Sequence, residues 1–299
     1  MAAGELKPQV FPTQAELSSF ARVASQLLAE HPTPALGSRT VKRRAGVGLQ
    51  HLDHRDYVPG DEVRHIDWRQ TARRQRPIVR QFEAETSGDW FLMLDASSSM
   101  TVEDASKWHA ALRATAAMAF ALLEIGHRVA VVAFASDVVA EVPPGRGSRH
   151  FASVVRGLRE IRPGPTGARS NLAACARRLF GTSSAFVVSD FLGPADLRPD
   201  LAALRERCVL LHALQTHEPR ELSLPGPGPI ELVDVETGQS LTSQADPAAV
   251  SAACIAHDER VRRLRRFAAL SGIAYSCWDV TIPWQRVLLD HLVHARTTR

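Results

Sequence analysis

A short run of oxygen-bearing side chains follows an apolar segment near the first third of the chain. Residues 90–94 are continuously apolar and are followed by Asp95, Ser97 and Ser99. A short apolar run is typical of a buried parallel strand, and ligands of open parallel sheets bind at the carboxyl ends of strands. One carboxylate with hydroxyl oxygens suits Mg²⁺ or Mn²⁺ better than zinc. The alternative interpretation is a serine-rich loop that caps the following helix.

Two further segments place polar oxygens at comparable positions. Ser170 precedes a predicted helix, and Asp190 follows the apolar segment 185–188. In a doubly wound sheet such strand ends lie at one edge, so these side chains would converge with the first group. Three hydroxyls and two carboxylates fit an octahedral Mg²⁺ that keeps some of its water. The sequence therefore predicts a metal site formed by Asp95, Ser97, Ser99, Ser170 and Asp190.

The elements around these residues form the pattern of an α/β protein with a doubly wound, mostly parallel sheet. Predicted strands at 90–94, 128–134, 137–142, 185–188 and 208–215 alternate with predicted helices at 104–125, 148–161, 172–180 and 197–207. A Pro/Gly-rich linker follows, then a hairpin at 230–242, a basic helix at 247–270, a strand at 274–277 and a terminal helix at 284–295. We interpret residues 219–246 as a β-hairpin insertion near the C-terminus.

Residues 1–88 precede this sheet. We predict a helix over 13–30, because Thr13 and Glu16 have capping-box spacing, and a linker to residue 37. Residues 38–88 form a basic extension, irregular over 46–73 and a strand over 77–85, which we expect to pack on the core through Trp68. A metal site is a weaker interpretation of this extension than Asp–Arg pairing within an irregular loop; the residues concerned are His51, Asp53, His54, His65 and Asp67. Residues 89–299 then form the main domain.

Composition places the chain among ordinary globular proteins. It has 299 residues, 45% of them hydrophobic, and a formal net charge of +4, which permits contact with nucleic acid without requiring it. The first ten residues lack a secretory signal core, and Arg113 and Glu124 interrupt the most apolar long segment. The scattered cysteines argue against a zinc cage or a disulfide framework. We therefore expect a soluble cytoplasmic protein without a membrane span.

The Asp-x-Ser-x-Ser pattern after a strand resembles the metal-ion-dependent adhesion site of von Willebrand factor A domains, which have a Rossmann-like sheet. The resemblance implies that Ser97 and Ser99 bind Mg²⁺ or Mn²⁺ directly. It also implies that Asp95 and Asp190 act mainly through water.

The third hydroxyl ligand is less well marked. Ser170 stands where the family usually has a threonine, in a stretch that reads Arg169-Ser-Asn-Leu172 here. Serine keeps the hydroxyl, and Thr166 is the competing candidate.

A second motif lies in the basic extension. The stretch Arg55-Asp-Tyr-Val-Pro-Gly-Asp-Glu-Val-Arg-His-Ile-Asp-Trp68 is similar to the signature of domain-of-unknown-function family 58. Segments beginning at His217 and Asp234 resemble that family's sequence after the sheet, although Glu218 stands where an aspartate is usual. The likeness covers about residues 38–295. It implies a MoxR-type AAA+ ATPase as partner. Many family members also have N-terminal membrane spans, and we expect this chain to resemble the short members without them.

These resemblances imply a non-enzymatic adaptor with a metal-dependent binding site. A client protein would offer an acidic residue to the metal, and the adaptor would link that client complex to the ATPase during maturation or remodelling. Maturation of a methanol-dehydrogenase-like metalloenzyme is one setting that the resemblance suggests.

Three alternatives differ in class. The site could be vestigial and the domain a scaffold, or the Arg-rich patches could bind nucleic acid, as in the run from Arg260 to Arg266. Hydrolysis by Ser97 or Ser99 is the third alternative. It has the least support, because no Gly-x-Ser-x-Gly, Walker A or Gly-x-Gly-x-x-Gly motif occurs and no histidine lies beside these serines in the sequence.

Overall fold

The computed structural model describes eleven stretches of the chain. They are residues 10–29, 51–57, 66–74, 76–82, 89–102, 104–164, 170–179, 183–192, 196–222, 228–235 and 238–297. The chain divides into two compact units. Residues 1–31 and 89–299 form the first unit, and residues 32–88 form the second.

The described residues contain helices and strands that alternate through most of the first unit. The helices are α1 (Gln14–Ala29), α2 (Trp68–Arg74), α3 (Ser106–Glu124), α4 (Gly147–Glu160), α5 (Ala173–Ala176), α6 (Arg198–Arg207), α7 (Pro247–Leu270) and α8 (Trp284–Thr297). The strands are β1 (His51–Asp56), β2 (Ile78–Phe82), β3 (Trp90–Asp95), β4 (Val129–Phe134), β5 (Val138–Gly145), β6 (Ser184–Ser189), β7 (Leu210–His217), β8 (Gly228–Val233), β9 (Ser240–Ala245) and β10 (Ala274–Asp279).

A six-stranded sheet organises the first unit, in the order β10-β7-β6-β3-β4-β5. Every neighbouring pair is parallel except β4 and β5, where β5 forms an antiparallel edge. The α/β class and the mostly parallel sheet predicted from the sequence are therefore confirmed. Strand β3 has β4, the next strand in the chain, as its neighbour on one edge, and the later strand β6 as its neighbour on the other edge. The carboxyl ends of β3 and β6 thus lie side by side at a topological switch point, where ligands of such sheets bind.

Helices cover both faces of this sheet because its central strands are apolar on both sides. Leu92 and Leu94 of β3 belong to a core with α1, α3, α4 and α8. Phe91 and Met93, which alternate with them, belong to a second core with α5, α6 and α7. This two-faced burial explains why β3 reads as a continuous apolar run. Helix α3 has fifteen buried residues because α1, α4 and α8 pack against it as part of the same core.

Most helix boundaries agree with the sequence within a few residues. The predicted capping box is present: Thr13 N donates to Glu16 Oε2 at 2.7 Å, and Glu16 N donates to Thr13 Oγ1 at 3.3 Å. Gly126, at φ 88°, follows the end of α3 as expected. The helix predicted over 172–180 is wrong in length, because α5 has a single turn. Its end is tightened by bonds from Arg178 N and Leu179 N to carbonyl oxygens three residues back.

An antiparallel hairpin of β8 and β9 pairs Gly228 with Ala245 and Val233 with Ser240. Its strands are largely exposed, and Leu241 is 64% exposed. Among the described residues, no helix has the length and apolar character needed to cross a membrane.

The second unit contains regular structure where the sequence predicted an irregular loop. Strands β1 and β2 pair antiparallel, with Arg55 opposite Val79. Asp67 is buried and accepts hydrogen bonds from Arg69 N at 3.0 Å and Gln70 N at 3.1 Å, which caps α2. Trp68 is 65% exposed, so its predicted burial is wrong. Residues 58–65, which include His65, lie outside the described residues.

Candidate metal centre

Asp95, the last residue of β3, is the centre of the polar group at the switch point. Its carboxylate is fully buried. Oδ1 accepts a hydrogen bond from Ser97 N at 2.9 Å, and Oδ2 accepts from Ser170 Oγ at 2.9 Å and from Ser189 Oγ at 2.5 Å. Residues more than 70 positions apart thus meet at one carboxylate. Ser189 was not predicted, although it directly precedes Asp190 in the sequence.

The two hydroxyls that follow β3 lie next to one another. Ser97 Oγ and Ser99 Oγ are 3.1 Å apart, and both residues are buried. A one-turn 3₁₀ helix at Ser98–Thr101 folds Ser99 back towards Ser97. Ser98 points to the other side, where its Oγ donates to Val235 O at 2.9 Å, at the turn after β8. The serine run therefore does more than cap α3, whose N-cap residue is Ala105.

Asp190 lies just beyond β6 and is also buried. Its Oδ1 accepts from Leu192 N at 3.1 Å, and its carbonyl oxygen accepts from Gln215 Nε2 at 2.8 Å. The Tyr275 hydroxyl donates in turn to the Gln215 side chain. This network holds Asp190 at the edge of the sheet where Asp95 lies.

Lys107, in the first turn of α3, is the main member of the site that sequence reasoning missed. Its side chain is 2% exposed, and its ammonium lies 2.8 Å from Asp190 Oδ2 and 2.5 Å from Glu221 Oε1. The other oxygen of Glu221, Oε2, is buried and has no hydrogen-bond partner among the described residues. The sequence did contain a signal for this residue. Lys107 lies in a helix whose other residues are nearly all buried, and a buried ammonium requires anionic partners.

The electrostatics of the group follow from burial and from the two aspartates. Burial, reinforced by the negative charge of Asp190, raises the pKa of Asp95 to about 6, against the opposing hydrogen bonds from Ser189 and Ser97. Burial alone would lower the pKa of Lys107, but Asp190 and Glu221 outweigh it, and the pKa of Lys107 is raised. Lys107 is therefore a permanent cation at neutral pH.

The donor set on the Asp95 side fits a hard divalent cation. Asp95, Ser97, Ser99 and Ser170 provide one carboxylate and three hydroxyls. Ser170 Oγ contacts the carboxylate of Asp95, and Ser97 Oγ contacts Ser99 Oγ. This is the oxygen chemistry that Mg²⁺ and Mn²⁺ prefer. The Asp190 side differs, because a protein cation already contacts that carboxylate. Thr166, the competing ligand, lies outside the described residues.

A metal site made of histidine, cysteine or several carboxylates has no support in the described stretches. They contain no group of three or more His, Cys, Asp or Glu side chains placed to bind an ion. In the second unit, Asp67 serves as a helix cap instead.

A cleft of about 370 Å³ is lined by Phe191, the residue that follows Asp190 in the chain. Phe191 and Leu264 contribute apolar surface, Arg198, Arg260 and Arg263 contribute positive charge, and Asp196 contributes a carboxylate. Phe191 adopts φ 50°, a left-handed conformation that is rare for a bulky residue, and its carbonyl oxygen accepts from Arg260 Nη2 at 3.3 Å. Two of these cations have acidic neighbours in the chain, because Arg198 pairs with Asp196 and Arg263 with Glu259.

Comparison with known proteins identifies the family. A family model described as "Protein of unknown function DUF58" matches residues 53–262. The chain belongs to this family. The matched range includes Asp95, Ser97, Ser99, Ser170 and Asp190.

Similar proteins include "Uncharacterized protein Rv1480" of Mycobacterium tuberculosis and "Uncharacterized protein Mb1516" of Mycobacterium bovis. Each is 32% identical over 209 residues, which is 68% of this chain and 66% of the relative. The match thus spans just under two thirds of the length of these relatives. A solved structure of an aerotolerance-related membrane protein from Bacteroides fragilis is 16% identical, with a TM-score of 0.43, over 69% of this chain and 98% of that one.

Proposed function

We propose that this protein is a non-enzymatic adaptor whose von Willebrand factor A-like domain binds a partner through Mg²⁺ or Mn²⁺. Asp95, Ser97, Ser99 and Ser170 would hold the ion, and Asp190 would act from the adjoining strand end. The partner would offer an acidic side chain. A MoxR-type AAA+ ATPase and its client complex are the partners implied by the resemblance of residues 55–68 to this family's signature.

The observation that carries the proposal is the meeting of Asp95, Ser97, Ser99 and Ser170 at the switch point. Three of these side chains are buried, and polar oxygens that are removed from bulk water require bonding partners. Hydroxyl ligands add no negative charge to a bound divalent ion. The ion would therefore keep most of its charge, and an incoming carboxylate would be favoured over a neutral ligand.

The adjacent cleft supports an acidic partner as well. Arg198, Arg260 and Arg263 line it, and Phe191 connects it to Asp190 through one peptide bond. Positive charge around a binding site steers acidic surfaces and raises their rate of association. Mg²⁺ releases its water reluctantly, so a partner that contacts both the ion and the cleft would bind better than a free carboxylate.

The experiment that tests the proposal measures the affinity between this protein and a MoxR-type ATPase from the same cells. It is run with saturating Mg²⁺ and with EDTA, for the wild-type protein and for Ser97→Ala. We expect weaker binding in EDTA and in the variant. Ser184→Ala is the matched control, because Ser184 lies at the opposite end of β6. Equal affinity under both conditions would mean that the metal has no part in this complex.

A scaffold without a metal is the second candidate, and the Lys107–Asp190 contact favours it. The ammonium already neutralises the second carboxylate, as a divalent ion would otherwise do. In this case, EDTA would leave both the fold and the complex unchanged.

A further inference from the structure

Lys107 is unusual for this chain in both type and location. The sequence contains 36 lysines and arginines, of which only Lys7, Lys42 and Lys107 are lysines. The buried cation of the site is therefore a lysine in a chain that otherwise uses arginine. A compact ammonium fits between two carboxylates where a planar guanidinium would need more room. Asp190 and Glu221 are those two carboxylates.

We propose that the Lys107 ammonium is a resident cation that competes with the divalent ion and thereby sets the affinity of the site for metal. The inference rests on the proposed metal site and adds to it a residue that is not a ligand. Its consequence is that the native protein binds metal weakly. A partner carboxylate would then be needed to hold the ion firmly.

The charge balance of the group supports this role. Asp95, Asp190 and Glu221 carry three negative charges when ionised, and Lys107 offsets one of them. Lys107 donates a hydrogen bond directly to Asp190, so a divalent ion next to Asp190 meets a like charge close by. Repulsion between cations in a buried site is much stronger than in water. Within the described part of the chain, the buried Glu221 Oε2 has no hydrogen-bond partner, so the single ammonium does not satisfy every acceptor there.

Mn²⁺ is a suitable probe, and calorimetry gives its affinity for the whole chain without any partner. The decisive variant is Lys107→Met, which keeps the length of the side chain and removes its charge. We expect its Kd for Mn²⁺ to be lower than that of the wild type by about tenfold or more, because the repulsion is gone and Asp190 becomes accessible. Arg286→Gln is the control: it removes an exposed cation that pairs with the exposed Asp290, and should change the Kd less than about twofold.

Folding is checked by circular dichroism, since Lys107→Met leaves two buried carboxylates unpaired. If that variant does not fold, Lys107→Met combined with Glu221→Gln removes the second unpaired charge and should still bind Mn²⁺ severalfold more tightly than the wild type. Tight binding by the variant and none by the wild type would support the inference and contradict the proposed metal-dependent function. Equal or weaker binding by the folded variants would overturn the inference and leave that function standing. No binding by any of these proteins would overturn both.

Discussion

The ammonium nitrogen of Lys107 lies 2.8 Å from Oδ2 of Asp190, and neither side chain is more than 2% exposed. The contact joins the first turn of α3 to the end of β6 across 83 positions of sequence. Removing one partner of a buried ion pair costs more than the pair contributes, because an uncompensated charge stays behind.

Asp190→Ala is therefore expected to destabilise the protein even without metal. The free energy of unfolding should fall by about 3–5 kcal/mol, since Lys107 would keep only Glu221 as a partner. Urea denaturation in EDTA measures this. Asp290→Ala is the control, because it breaks an exposed pair with Arg286 and should cost under about 1 kcal/mol. Similar losses in the two variants would show that Asp190 does not hold a buried cation.

Trp68→Ala should have little effect on stability. An indole that is 65% exposed loses little burial on truncation, so we expect a cost below about 1 kcal/mol. Ile78→Ala, in the same compact unit, should cost about 2–5 kcal/mol because Ile78 is 1% exposed. Thermal unfolding of both variants compares them. A Trp68 variant as unstable as the Ile78 variant would contradict the exposed position.

The free energy of unfolding should depend on pH because of two buried histidines in contact with each other, outside the candidate metal centre. His212 Nδ1 lies 3.0 Å from His291 Nε2, and His291 Nδ1 lies 2.9 Å from Ser276 Oγ. Burial, with a smaller effect of His294, lowers the pKa of His291 from 6.5 to about 3. Between these values the unfolded chain binds a proton that the native protein does not. The stability contributed by neutral His291 is thus present above pH 6.5 and is lost as the pH falls.

The measurement compares the free energy of unfolding at pH 7 and pH 5. The wild type should lose about 2 kcal/mol more than His291→Gln, since one proton contributes about 1.4 kcal/mol per pH unit below 6.5. Other groups that titrate in this range, Asp95 among them, contribute to both proteins and cancel in the difference. An identical pH dependence in the wild type and in His291→Gln would show that His291 is not a buried neutral histidine.

Arg263→Gln should weaken the complex with an acidic partner, through slower association that is sensitive to salt. Arg263 lines the cleft next to Phe191 and is 64% exposed, so its loss should leave the fold unchanged. Arg286→Gln removes an exposed cation from α8, which packs on the other face of the sheet, and should not alter association. Stopped-flow kinetics with a MoxR-type ATPase separates the two variants. Equal association rates for the two variants would show that the cleft is not part of the surface that binds the ATPase.

The sequence could predict that Asp95 and Asp190 lie at the same edge of the sheet. Asp95 and Asp190 follow apolar strands, and parallel strands in a doubly wound sheet end at one edge. Ser170 lies instead in the loop before α5, and the structure places its hydroxyl on Asp95. Periodicity and motif spacing are sufficient to predict how whole strands and helices lie relative to one another.

The failures concern individual side chains. Lys107 meets Glu221 across 114 positions of sequence, and no local pattern encodes such a pairing. Trp68 was expected to be buried because aromatic residues usually are, but Asp67 takes the buried capping position and leaves Trp68 exposed on the first turn of α2. Each outcome depends on the geometry at the start of a helix, α3 for Lys107 and α2 for Trp68. The sequence constrains this geometry only loosely.

Calorimetric titration of Mn²⁺ into the wild-type protein and into Ser97→Ala/Ser99→Ala measures whether these hydroxyls hold a metal ion. We expect the wild type to bind one ion weakly. The double variant, which loses two of the three hydroxyl ligands, should bind it at least about tenfold more weakly. Ser184→Ala should bind as the wild type does. Equal Mn²⁺ affinity in the wild type and the folded double variant, or no binding by either, would contradict the assignment of this site as a metal centre.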